Sequence, residues 1–198
     1  MSRRVGCAVT MAVTTAALML GACSSSSSRV ARGETLDGAT RTVSAPQPES
    51  IHVSSSAFRD GEAIPAEFTC SGADRSPPLR WAGIPHNAVE VALIVDDPEA
   101  PGGTFLHWVL FALPKGDGGV EAGAVPRGAR QGRNGFGKAA YGGPCPPNGD
   151  APHHYQFTVY ALSRKVDRPD GAAGEDVRRD VEAAAIATGS LIGTFGRR

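Results

Sequence analysis

The sequence predicts a mainly β domain, a β-sandwich trimmed by one late helix. Three observations predict it. The apolar runs are short and rich in strand-forming residues. Gly/Pro/Asn-rich loops separate them, too long for a meander of hairpins alone. The one clear helical pattern falls near the end of the chain, which does not fit alternating βα units.

The first run, Val89 to Val95 (VEVALIV), is nearly all apolar and reads as a strand buried on both faces. The second is His107 to Leu113 (HWVLFAL). There His107 shares a face with Val109, Phe111 and Leu113, as the polar tip of a core-facing row. The third, Tyr155 to Leu162 (YQFTVYAL), alternates well. If its extended conformation begins at His153, then His153, Tyr155, Phe157 and Val159 share one face, and His154 points the other way. The predicted helix spans Glu175 to Thr188. Acids in its first turn suit the helix dipole, Val177, Val181, Ala184 and Ala185 make one apolar face, and Gly189 is a stop signal.

The start of the chain is different. Arg3 and Arg4 precede an uncharged stretch from Val5 to Ala22, 18 residues long and near the lower limit for spanning a bilayer. Its many Ala, Thr and Gly residues fit a cleaved secretory signal better than an anchor. Leu20-Gly21-Ala22-Cys23 resembles a bacterial lipobox, which implies lipidation of Cys23 as the mature N-terminus and attachment to the cell envelope. The arginine pair does not choose between general secretory and twin-arginine export. Residues 23–50 are rich in Ser, Pro, Thr and Gly and cannot bury a core, so they read as a flexible tether. Residues 51–198 remain, 148 in all, enough for one sizeable core.

Without residues 1–22 the chain holds 18 basic and 20 acidic residues, a formal charge of −2. That excludes the concentrated basic face expected of a nucleic-acid binder. Cys7 falls in the signal and Cys23 at the lipid site, leaving Cys70 and Cys145. In an oxidising compartment an even pair is compatible with a disulfide and equally with two separate buried thiols.

His107 and the His153/Tyr155 pair stand at strand mouths beside Pro/Gly loops, and Asp97, Pro98, Glu99 and Pro101 lie in one of those loops. Three stretches carry a resemblance: FTCSGADRSPPLRWAGIP, DDPEAPGGTFLHWVLFALP and GRNGFGKAAYGGPCPPNGDAPHHYQFTVYAL. In this order they resemble the phosphatidylethanolamine-binding protein family, in its bacterial Raf-kinase-inhibitor-like branch, from about Phe58 to Arg198. The resemblance implies an antiparallel β-sandwich with a C-terminal helix, long Pro/Gly-rich loops and a small anion pocket at one end. Asp97, His107, His153 and Tyr155 would form that pocket, the Gly143-Pro144 turn would wall it, and Glu99 would stand at its rim. Glu99 occupies a place where the family usually has a second Asp, and His154 one where it often has Arg.

Chemically, two imidazoles and a phenol can donate hydrogen bonds to a phosphate-like group. Either Asp97 would orient a histidine and favour its protonated form, or the ligand would be a zwitterion such as phosphoethanolamine with its ammonium on Asp97 or Glu99. Pro98 and Pro101 stiffen the acid-bearing loop.

Three rival chemistries have weaker support. Asp97, His107 and His153 lack any His-x-x-x-His or Cys-x-x-Cys spacing, so no metal is expected. Gly135 to Ala140 (GFGKAA) matches a bare dinucleotide pattern, but YGGPCPP follows and cannot be a helix, so its glycines shape a loop and no cofactor is expected. Ser71 and Ser76 sit on no nucleophile elbow. The expectation is therefore a non-catalytic, lipid-anchored envelope protein. Its ligand would be a phosphate-bearing small molecule or a phospholipid head group. The alternative is an interaction or inhibitor module whose pocket docks an envelope protein partner.

Overall fold

The structure, a computed structural model, describes residues 50–197. The expected export signal, the expected lipid site at Cys23 and all but the last residue of the expected tether lie outside them.

Among the described residues the chain forms eight strands and one α-helix. They are β1 (His52–Ser54), β2 (Leu79–Ala82), β3 (Glu90–Asp97), β4 (Phe105–Leu113), β5 (Gly118–Val120), β6 (Arg130–Gly132), β7 (His153–Leu162), α1 (Gly174–Ala184) and β8 (Ala185–Phe195). A small sheet has the order β1-β2-β5 and a larger one the order β6-β4-β3-β7-β8, with every neighbouring pair antiparallel. The expected antiparallel sandwich with a late helix is what the chain builds.

Three layers explain why the middle of β3, Val91 to Val95, is apolar throughout. Val91, Leu93 and Val95 face the small sheet in a core with Trp81, Trp108 and Phe157. Ala92 and Ile94 face the other way, packing with Val109, Phe111 and the helix residues Val177 and Val181. A strand covered on both sides has no polar face to show. Burying each helical valine contributes roughly 1.5–3 kcal/mol, which helps a helix this short to hold.

The helix is shorter than predicted. It ends at Ala184, and Ala185–Phe195 continues at once as β8, paired along the length of β7. Val177, Val181 and Ala184 are buried as expected, and Ala185 packs at their edge as the first residue of a strand. Gly189 is not a stop signal. It pairs with Val159 inside β8, and a Cβ there would come within 1.8 Å of the Ile51 carbonyl oxygen. Glycine is required because the chain leading into β1 crosses against this strand.

The expected row of His107, Val109, Phe111 and Leu113 does not form either. β3 and β4 pair Val95 with Trp108 but Asp96 with Leu106, so His107 is an extra residue in a β-bulge. A second irregularity lies between the pairs Val91–Leu113 and Leu93–Leu110, where Ala112 takes a left-handed conformation with φ 57°. These two shifts leave Val109 and Phe111 under the helix while Trp108, Leu110 and Leu113 join the inter-sheet core.

Candidate functional site at the strand ends

β3 lies between β4 and β7 and runs antiparallel to both. Its last residue, Asp97, therefore meets the opening residues of the other two, which brings Asp97, His107, His153 and Tyr155 to one end of the sheet. On β7 the predicted alternation holds: His153, Tyr155, Phe157 and Val159 are buried and His154 is exposed.

A cavity of about 210 Å³ opens there, lined by Asp97, His107 and His153 together with Ala100, Pro101, Phe105, Phe136, Cys145, Pro146 and Pro147. Hollows of about 440 Å³ lie elsewhere, but they gather no pair of imidazoles. Asp97 and His107 are each 3 % exposed and His153 7 %, so the polar groups form the floor of the cavity beneath an apolar rim.

Each histidine is held by one nitrogen. His107 Nδ1 lies 2.7 Å from the Gly142 carbonyl oxygen, which can only accept, so Nδ1 carries the proton. His153 Nδ1 lies 2.7 Å from Asp97 Oδ2. The other Asp97 oxygen accepts the Glu99 N–H at 2.9 Å. Asp97 thus holds the His153 ring in place. Glu99 turns outward: it accepts the His154 N–H at 2.7 Å and flanks His154 Nδ1 at 3.1 Å. That backbone bond, first, and the imidazole beside it hold the Glu99 carboxyl below its usual range.

Tyr155 sits beneath the floor, fully buried, with its ring 5.2 Å from His107 and 6.4 Å from His153. Its hydroxyl has no hydrogen bond of good geometry, although Asp97 and the Cys145 backbone lie close. Burial and then the Asp97 charge push its pKa up, so it stays a phenol.

The expected Gly143-Pro144 wall lies one step back from the cavity, which Cys145, Pro146 and Pro147 line instead, and this segment is strapped to the loop after the short 3-10 turn Ala66–Phe68. Gly143 N–H donates to Asp74 at 2.6 Å, Cys70 N–H to the Pro144 carbonyl at 3.1 Å, and Tyr141 OH to the Phe68 carbonyl at 2.8 Å. Cys70 and Cys145 are joined in a disulfide with Cα atoms 5.4 Å apart. A Cβ on Gly143 would lie 2.6 Å from the Phe68 carbonyl oxygen, so the close approach requires glycine. Gly135 likewise packs against the Phe105 ring, in keeping with a loop-shaping role for its GFGKAA stretch.

Sequence reasoning missed several supports. Buried Asn134 organises the loop: its side chain accepts from the Phe136 and Lys138 N–H groups and donates to the His107 and Ala140 carbonyls. The Asn134-Gly135 turn signal was the only hint. Half-exposed Phe136 packs edge-on against Phe105 and His107.

Comparisons with known proteins agree with this architecture. A family model described as phosphatidylethanolamine-binding protein matches residues 54–196. A Mycobacterium tuberculosis protein named as a lipoprotein, LppC, is 41% identical over 154 residues, covering 78% of this chain and 76% of its own. The crystal structure of Escherichia coli YbcL, titled as a new member of the mammalian PEBP family, is 34% identical with a TM-score of 0.72, over 75% of this chain and 99% of its own. That of the PEBP homologue CT736 from Chlamydia trachomatis is also 34% identical, with a TM-score of 0.69, over 76% and 99%. With the matched region spanning nearly the whole described fold, the chain belongs to the phosphatidylethanolamine-binding protein family.

Proposed function

We propose that this is a non-catalytic binding protein of the cell envelope whose pocket takes a small anion of the phosphate or phospholipid head-group kind. One observation carries the reading. Both cavity histidines have Nδ1 engaged by the protein, which leaves the two Nε2 atoms as the ring nitrogens available to a ligand. Export and anchoring at Cys23 rest on the sequence of residues 1–23, supported by the name of the mycobacterial relative.

The chemistry has a proton in it. With Nδ1–H donating, a neutral imidazole offers only a lone pair at Nε2, and it must take up a second proton before Nε2 can donate to an anion. Burial, chiefly, holds His107 below its ordinary value of 6.5, against opposing help from the Gly142 carbonyl and Asp97. Between that lowered value and 6.5 the unfolded chain holds a proton that the folded chain lacks. This group's contribution to stability is therefore complete above pH 6.5 and is lost as pH falls through the folded value. An anion entering the pocket favours the charged ring and draws the proton in.

Two measurements test the reading. The imidazole signals of His107 and His153 shift saturably with inorganic phosphate or O-phosphoethanolamine, and His153→Ala abolishes the response. Absence of any shift at millimolar ligand would transfer the pocket to the docking of a protein partner. Sulfate, whose charge is constant near neutrality, binds more tightly as pH falls from 8 to 6, by up to about tenfold per unit for each proton taken up. A flat profile would show that binding takes up no proton.

A further inference from the structure

Three carboxylates lie on the His153 side of the pocket, and two already accept hydrogen bonds. Asp97 has one oxygen on His153 Nδ1 and the other on the Glu99 N–H. Glu99 has its carboxylate on the His154 backbone and ring. The third, Asp150, makes no side-chain hydrogen bond among the described residues. Its Oδ2 stands 3.9 Å from His153 Nε2, too long for a hydrogen bond but close for two charges. Nε2 is the atom that would donate to an anion.

Asp150 is also held in place. Gly149 N–H donates to the Arg197 carbonyl at 3.1 Å, Arg197 Nε donates to the Pro146 carbonyl at 2.6 Å, and Asp150 N–H reaches the Pro147 carbonyl at 3.4 Å. Pro146 and Pro147 are themselves cavity wall. The backbone is thus anchored beside the cavity wall while the carboxylate is 46 % exposed next to His153, so it can meet a ligand without first being dug out of the protein.

A plain anion on Nε2 would come to rest beside this negative charge and be opposed by it. An anion that carries its own cation on a short arm would place that cation where the repulsion was. Resting on the anion-pocket reading above, we propose that Asp150 is the specificity-determining residue of the pocket, discriminating against simple phosphate esters and in favour of phosphate esters bearing a nearby ammonium group. Asp97 and Glu99 already accept from imidazole and backbone N–H groups, whereas among the described residues the Asp150 carboxylate accepts from none.

The experiment compares two ligand pairs that differ in the ammonium group. O-phosphoethanolamine against ethyl phosphate represents a free monoester, and glycerophosphoethanolamine against glycerophosphoglycerol represents a lipid head group. Kd values are read from His107 and His153 signals in the wild-type protein, Asp150→Asn and Asp150→Ala, with unchanged thermal unfolding as the check on folding. In the wild type the ammonium-bearing member of at least one pair binds roughly tenfold tighter, as expected for a charge pair a few ångströms apart in a half-exposed site. The pair that shows the preference identifies the source, free ester or head group. In both variants that ratio falls towards one, largely because the ligand without the ammonium binds more tightly. Binding of all four ligands with no preference in the wild type, or with a preference that both variants retain, overturns the role of Asp150 and leaves the anion pocket standing. No response to any ligand in any of the three proteins overturns the pocket reading and this inference together.

Discussion

Replacing Cys70 and Cys145 together by serine lowers the unfolding free energy by about 4.5 kcal/mol, the chain-entropy value for a bridge across a separation of 75 residues. The Cα atoms stand 5.4 Å apart, inside the range a disulfide spans without moving the backbone. The bridge fastens the loop after Phe68 to the wall that supplies Cys145, Pro146 and Pro147 to the cavity. Three hydrogen bonds fasten the same two segments, from Gly143 to Asp74, Cys70 to Pro144 and Tyr141 to Phe68. Because they remain when the sulfurs are gone, the double variant loses far more stability than anion affinity, which falls only a few-fold. Denaturant unfolding and a phosphate titration on one preparation read the two effects, and the intact mass before and after reduction reports the bridge directly. Two freely titrating thiols in the folded protein, with an unfolding midpoint unmoved by the substitutions, would contradict this.

Much of the fold was legible because its central strand is extreme. Only a strand covered on both faces can be as uniformly apolar as Val91–Val95 of β3, and β7 shows the opposite clean signal, one buried and one open face. β8 was illegible for a physical reason. Its Ala, Thr, Ser and Gly residues carry little hydrophobic contrast, and they follow a true helical pattern with no break, so the 3.6-residue period was extended four residues too far. The strands β1, β2, β5 and β6 are three or four residues long, too short for any period to show. At the site, Asp97, His107, His153 and Tyr155 were legible as residues at strand mouths. The bulge that re-aims His107 was not, because it exists only in the register between two strands. Gly142, Asn134 and Asp150 escaped notice because their roles arise from loop closure in space: a carbonyl, a loop-organising amide and a carboxylate brought beside an imidazole.

Asp97→Ala is expected to cost about 3 kcal/mol of stability and to abolish measurable anion binding, whereas Asp97→Asn costs about 1 kcal/mol and weakens binding without abolishing it. The difference follows from what the carboxylate holds. Asp97 is 3 % exposed and accepts from His153 Nδ1 and from the Glu99 N–H. Alanine leaves both groups unpaired in a place with little access to water, frees the His153 ring to turn, and loosens the loop that carries Pro101 into the cavity wall. Asparagine keeps the shape and one acceptor. Its oxygen can stay on the Glu99 N–H while its amide nitrogen faces His153 Nδ1, which must then accept. That moves the His153 proton to Nε2, so the ring offers a neutral donor to the ligand, and a charged ring would lose the carboxylate it faces. The asparagine variant should therefore bind anions with less dependence on pH than the wild type, and the imidazole ¹⁵N shifts of His153 should report the exchanged tautomer. If Asp97→Asn kept the wild-type tautomer and pH profile, Asp97 would be a structural tie for the Glu99 loop alone, and control of the anion-binding nitrogen would have to come from elsewhere around the ring.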